Sequence, residues 1–189
     1  MSQPKPEPDR GAQPVANGGP EPQPSPPDRN SVMVGRFEMF GAIASGGFAA
    51  IHSACASERE WPWYWALVGG RFVRHPPMQK FVIKVIDRSH PSTAFLGETW
   101  PWEDECYYLD HYNPDIRILL AADLTTVEDP ERGTYPGVVF GDYSPLAWFH
   151  EFEGSRQFFT ALGHKIEHYS DPMFRRHLQA GLLWVMKKD

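Results

Sequence analysis

His52, His75, Glu105 and His164 are the residues whose types could do chemistry together in this 189-residue chain. Imidazoles with one carboxylate suit general acid–base work near neutral pH, or can hold a borderline divalent metal. Their spacing is long and irregular, unlike H-E-x-x-H, so only the fold can gather them. His52 ends the apolar run Phe48-Ala49-Ala50-Ile51, and His164 follows Gly163 at the end of another apolar run. Both sit where a strand stops and a loop begins, the edge at which open α/β sheets bind ligands. Each histidine also has a plainer reading as a hydrogen-bonded structural residue, and His75, before Pro76, suits a turn. His90 reads as structural, and His111, His168 and His177 as surface or helix-face residues.

The carboxylate lies in Trp102-Glu103-Asp104-Glu105, where acids stand among aromatics. An acid set against Trp and Tyr rings loses hydration, which favours the protonated form a general acid needs. Glu103 and Asp104 read equally well as a solvated acidic loop. Seven tryptophans include Trp63 and Trp102, the two rings we carry forward as substrate-binding candidates beside the polar groups. Arg156 could bind an anionic or hydroxyl-rich ligand, or pair more simply with Glu151 or Glu153 across a hairpin. Cys55 and Cys106 make no disulfide framework and no zinc pattern, and read as small buried residues. The metal, if one binds, would take His52 and His164.

The elements that must position these groups follow from periodicity. Phe48–Ile51 reads as a buried parallel strand, residues 62–68 as a short helix with Pro62 in its first turn, and 81–86 and 117–122 as strands. Two alternating runs from Leu146 to Leu162 flank Gly154-Ser155, which predicts a hairpin turning at that pair with positive φ at Gly154. Ser170-Asp171-Pro172 caps a last helix whose apolar face carries Phe174, His177, Leu178, Gly181, Leu182 and Val185. Val34, Phe37, Phe40 and Ala44 recur at helical spacing ahead of Gly46-Gly47. The pattern predicts a mixed α/β fold with a partly antiparallel edge.

Composition bounds the function. Residues 1–33 form a proline-rich tail, nine of the nineteen prolines falling in the first thirty positions, and read as disordered. Residues 34–189 are long enough for one domain. A net charge of −6 with dispersed Lys and Arg argues against nucleic acid. No stretch suits a membrane span and the first residues lack a secretory signal, so the expectation is a cytoplasmic protein.

The chain resembles the ThuA-like (trehalose-utilisation) family. The resemblance rests on an ordered set: Gly46 to Ala54, Trp61-Pro62-Trp63-Tyr64, Leu67 to Phe72 with His75-Pro76, Asp87 to Thr93, Trp102 to Tyr107, Pro145 to Trp148, and Glu151 to His164. It implies a flavodoxin-like layered fold, related to class I glutamine amidotransferases, with an added antiparallel hairpin. It selects Glu105 among the three acids and implies a carbohydrate or keto-sugar ligand, with isomerase, lyase and hydrolase chemistry left open. Related amidotransferase-like folds carry a cysteine nucleophile near position 52; here that place holds His52, and Cys55 comes about one helical turn too late. The resemblance also implies strand–helix units ahead of Phe37, where this sequence has its proline-rich tail. The chain therefore reads as N-terminally truncated, which predicts an exposed sheet edge and a homodimer through it. The alternative function is a non-catalytic or degenerate interaction domain.

Overall fold

The computed structural model describes residues 47–135 and 140–186. The tail over residues 1–33 and the helix expected around Phe37 lie outside the described residues. The elements in order are β1 (Gly47–Ile51), α1 (Pro62–Val68), β2 (Arg71–Arg74), β3 (Gln79–Val85), β4 (Thr99–Asp104), β5 (Tyr108–Asp110), β6 (Arg117–Asp123), β7 (Tyr143–Phe152), β8 (Ser155–Thr160) and α2 (Pro172–Met186). Six strands form one sheet in the order β1-β8-β7-β6-β3-β4, and β2 pairs with β5 as a separate ribbon. Among the described residues only β1 and β8 run parallel; every other strand pairing is antiparallel. The sheet is thus more antiparallel than the resemblance implies, while remaining a mixed α/β arrangement with helices on both faces.

Alternation along β7 and β8 decides which helix each face meets. Trp148 and His150 point to α1: the indole Nε1–H donates to the Val68 carbonyl at 2.9 Å, and His150 Nε2 lies 3.1 Å from the Ala66 carbonyl. Phe149 and Phe158 point the other way, onto Trp184 and His177 of α2. Pro62 starts α1 where its missing N–H costs nothing, and Gly69 ends it at φ 100°. Asp171 caps α2 by accepting from the Met173 and Phe174 amides at 2.9 and 2.8 Å.

The β7–β8 turn differs from the expectation by one residue. Phe152 pairs with Ser155, so the turn residues are Glu153 and Gly154, with φ 49° and 76°. Two consecutive positive φ values are those of a type I′ turn, where the expected turn at Gly154-Ser155 would be of type II′ with one. Strand β4 was not legible in the sequence, because Pro101 interrupts it. As an edge strand it needs no ladder hydrogen bond from that residue.

Helix α2 lies close against the sheet because two glycines admit it. A Cβ on Gly47 would stand 2.3 Å from the Val185 carbonyl oxygen, and one on Gly181 would stand 2.5 Å from the Phe158 ring. Gly47→Ala is therefore expected to cost about 1–3 kcal/mol, since backbone must give way. A urea midpoint equal to that of the parent would show that α2 does not approach β1 this closely.

Candidate functional site

Four segment ends deliver the candidate side chains to one place. His52 is the first residue after β1, His75 follows β2, Glu105 follows β4, and His164 lies four residues beyond β8. His52 Nε2 is 3.1 Å from His164 Nδ1 and 3.5 Å from Glu105 Oε2, and His164 Nδ1 is 3.2 Å from the same Glu105 oxygen. His75 Nε2 lies 3.6 Å from the other Glu105 oxygen, Oε1. Tyr107, just ahead of β5, donates its hydroxyl to His52 Nε2 at 2.9 Å. Two histidines and one glutamate able to coordinate a metal ion are thus present in His52, His164 and Glu105.

His52 is buried and its backbone is held at φ 51°, a left-handed conformation costing about 1–2 kcal/mol for a residue with a Cβ. Hydrogen bonds at both ring nitrogens hold it there. Its Nδ1 faces the Ala161 carbonyl at 2.8 Å, which only an N–H can do, so Nε2 carries the lone pair and points into the cluster. Burial lowers the imidazole pKa below 6.5, against the pull of the Ala161 carbonyl and nearby carboxylates, and so favours this neutral form. His75 repeats the arrangement: its Nδ1 lies 2.8 Å from the Pro76 carbonyl, leaving Nε2 to face Glu105.

The residue that ties these segments together is Asp104, which the sequence leaves as part of an acidic loop. It is fully buried. Its Oδ2 accepts from the Gly163 amide at 2.8 Å and from Trp102 Nε1 at 3.0 Å, with the His168 ring 3.4 Å away. Its Oδ1 accepts from the Glu105 amide at 2.9 Å. One carboxylate therefore fixes the backbone beside both Glu105 and His164. The alternation of β4 was the signal that could have found it, since burial of Trp100 and Trp102 on one face carries Asp104 inward with them.

The other candidates take different places. Trp102 lies buried beneath Asp104 and lines a groove of about 630 Å³ together with Lys80, Glu103, Thr126, His168 and Asp171. Trp63 donates to Glu153 at 2.8 Å beside the hairpin turn. Arg156 sits opposite Glu151, with its guanidinium over the Trp184 ring, at the end of β8 away from His164. The structure does not bring Trp63 or Arg156 to the cluster. Cys55 is buried, donates to the His52 carbonyl at 3.3 Å, and has its thiol pKa pushed up by burial. Desolvation likewise pushes Cys106 up to about 12, so neither thiol is poised as a nucleophile. His177, expected on the surface or on a helix face, lies on the buried face of α2 with Nδ1 3.0 Å from the Ser92 carbonyl. Among the described residues, no helix is long and apolar enough to cross a membrane.

No curated protein matches the sequence. The chain shares its fold with a ThuA-like protein from Bacteroides uniformis ATCC 8492 (TM-score 0.58, 23% identity, covering 76% of this chain and 60% of that one). A ThuA-like protein from Parabacteroides merdae ATCC 43184 is similar too (TM-score 0.57, 21% identity, 76% and 63% covered). This chain therefore spans less than two-thirds of either protein's length. The family model for ThuA, trehalose utilisation, matches residues 38–185, and the chain belongs to that family.

Proposed function

We propose that the cleft formed by His52, Glu105 and His164 binds and transforms a carbohydrate-derived ligand of the keto-sugar class. The observation that carries this reading is the convergence of two imidazoles and a carboxylate, from three distant segments, at one partly open position. The family's association with trehalose utilisation supports the choice of a sugar. His52 and His164 serve either as general acid–base groups or as metal-binding groups, with Glu105 as their carboxylate partner. Tyr107 supplies a hydroxyl that stays protonated, because burial raises its pKa well above the usual range. His75, stacked on the Tyr107 ring at 5.6 Å, forms the rim. The layered sheet with its histidine at a strand-to-helix turn supports kinship with the class I glutamine amidotransferase fold.

The test is thermal unfolding of the purified chain with trehalose, a keto derivative of trehalose, or glucose. A ligand at 100 times its dissociation constant stabilises by about 2.7 kcal/mol, a shift of roughly 5–10 °C for a domain of this size. The keto-sugar is expected to give that shift, and His164→Ala to abolish it. Equal melting temperatures with all three sugars would overturn the assignment.

A second reading, an interaction domain that pairs through its sheet edge, draws on β1. This strand has one neighbour, β8, among the described residues, although all five of its residues are buried. Unpaired edges recruit other chains. The reading expects a dimer by light scattering; a monodisperse monomer removes it.

A further inference from the structure

The cluster brings nitrogen and carboxylate oxygen atoms from distant segments face to face. His52 and His75 both turn Nε2 into the cluster, because the Nδ1 of each ring faces a backbone carbonyl. Glu105 adds two oxygens, at 3.5 Å from His52 and 3.6 Å from His75. The Tyr107 hydroxyl reaches the same His52 nitrogen at 2.9 Å and is the group a bound ion would displace. Nitrogen and oxygen atoms gathered this closely suit a positive centre between them.

The spacing says which kind. His52 Nε2, Glu105 Oε2 and His164 Nδ1 form a triangle with sides of 3.1, 3.2 and 3.5 Å. Ligand atoms about 2.0–2.1 Å from a tetrahedral ion stand roughly 3.3–3.4 Å apart. The triangle matches one face of that tetrahedron. A calcium site, with oxygen ligands at about 2.3–2.6 Å in a larger shell, fits neither the atoms nor the size. The surroundings match as well. His52 donates its remote ring N–H to a backbone carbonyl, as metal-bound imidazoles do, and Asp104 holds the backbone beside the other two ligands.

We infer that His52 Nε2, Glu105 Oε2 and His164 Nδ1 form a three-ligand site for a divalent cation of the zinc class, with a fourth position open to water or to the substrate's carbonyl oxygen. The substrate clause rests on the sugar reading above; the metal clause does not. His75 touches only the second oxygen of Glu105 and is a positioning residue, turning the carboxylate so that Oε2 meets the ion. His164 lends the site its access, its side chain being 44% exposed.

The experiment uses tag-free full-length chain stripped with chelator. Zinc chloride is titrated calorimetrically, and cobalt(II) chloride is followed by visible absorption. One equivalent of zinc should bind, and cobalt should give the intense bands of four-coordinate geometry. His164→Ala should weaken zinc by more than about 100-fold, and His75→Ala by about 10–100-fold. His164 is exposed, so its variant should keep the parent's circular dichroism, and Glu105→Gln provides a second ligand variant of unchanged shape. Absence of stoichiometric zinc uptake, undiminished binding in His164→Ala, or the weak bands of octahedral cobalt would each overturn the site. Keto-sugar protection of the stripped protein without zinc uptake would remove the metal and leave the sugar reading. Zinc uptake with no sugar protection would do the reverse.

Discussion

Asp104→Ala is expected to lower the stability of the fold by about 3–5 kcal/mol, the lower part of the range for three buried donors left without an acceptor. The carboxylate has no exposed surface and accepts from the Gly163 amide, the Glu105 amide and the Trp102 indole. Alanine would leave those three donors without their acceptor, each costing about 1–3 kcal/mol where water cannot reach. Urea denaturation checks it: the midpoint should fall by roughly 1–3 M at an ordinary slope. Asp104→Asn keeps the shape and one oxygen but turns an amide N–H toward a backbone N–H. It should be milder in stability yet still displace Glu105 or Gly163. A loss below about 1 kcal/mol for the alanine variant would show that other contacts hold these segments.

Acid should weaken the fold well before its carboxylates titrate. His90 and His177 are buried between the sheet and α2, and desolvation lowers each pKa to about 4. Unfolded, both would titrate near 6.5. A histidine buried neutral thus contributes no penalty above pH 6.5 and a growing one as pH falls toward 4. The loss amounts to about 3 kcal/mol per group, at 1.36 kcal/mol per pKa unit. Asp87 opposes the shift at His90, while His90 and His177 repel one another once charged. His52 and His150, also lowered by burial, add in the same direction. The carboxylates with depressed pKa, such as Asp87, Asp110, Asp123 and Asp129, act only below their ordinary value of 3.8. Stability measured in urea should therefore fall steeply between pH 6.5 and 4. His177→Phe should flatten that slope by the share of one group; an unchanged slope would mean that His177 is not protonated on unfolding in this window.

Much of the scaffold was legible because its periods are clean. Phe48–Ile51, the two arms of the hairpin and the capped helix α2 each carry one unambiguous pattern, and the structure has them all. The meeting of His52, Glu105 and His164 followed from strand ends, with the choice of Glu105 coming from family likeness. The turn at Glu153-Gly154 was misplaced because a non-glycine residue with positive φ leaves no mark in sequence. Asp104 stayed hidden because Pro101 masks its strand, and because a buried carboxylate looks like a solvated one until its donors are known. Those donors include a backbone amide 59 residues away. The antiparallel majority of the sheet was equally out of reach, since pairing order depends on long-range register that periodicity does not encode.

The parallel ladder of β1 against β8, alone of its kind among the described residues, has a kinetic meaning. His52 meets Ala161 and His164 across 109 and 112 residues of chain. Closing so long a loop is entropically late, and contacts of high sequence separation slow folding. The cluster therefore has no partial version: a nascent, nicked or misregistered chain holds its imidazoles apart. Occupancy of the site would then report completion of the whole sheet, and any ligand bound there would act as a latch between the first and last strands.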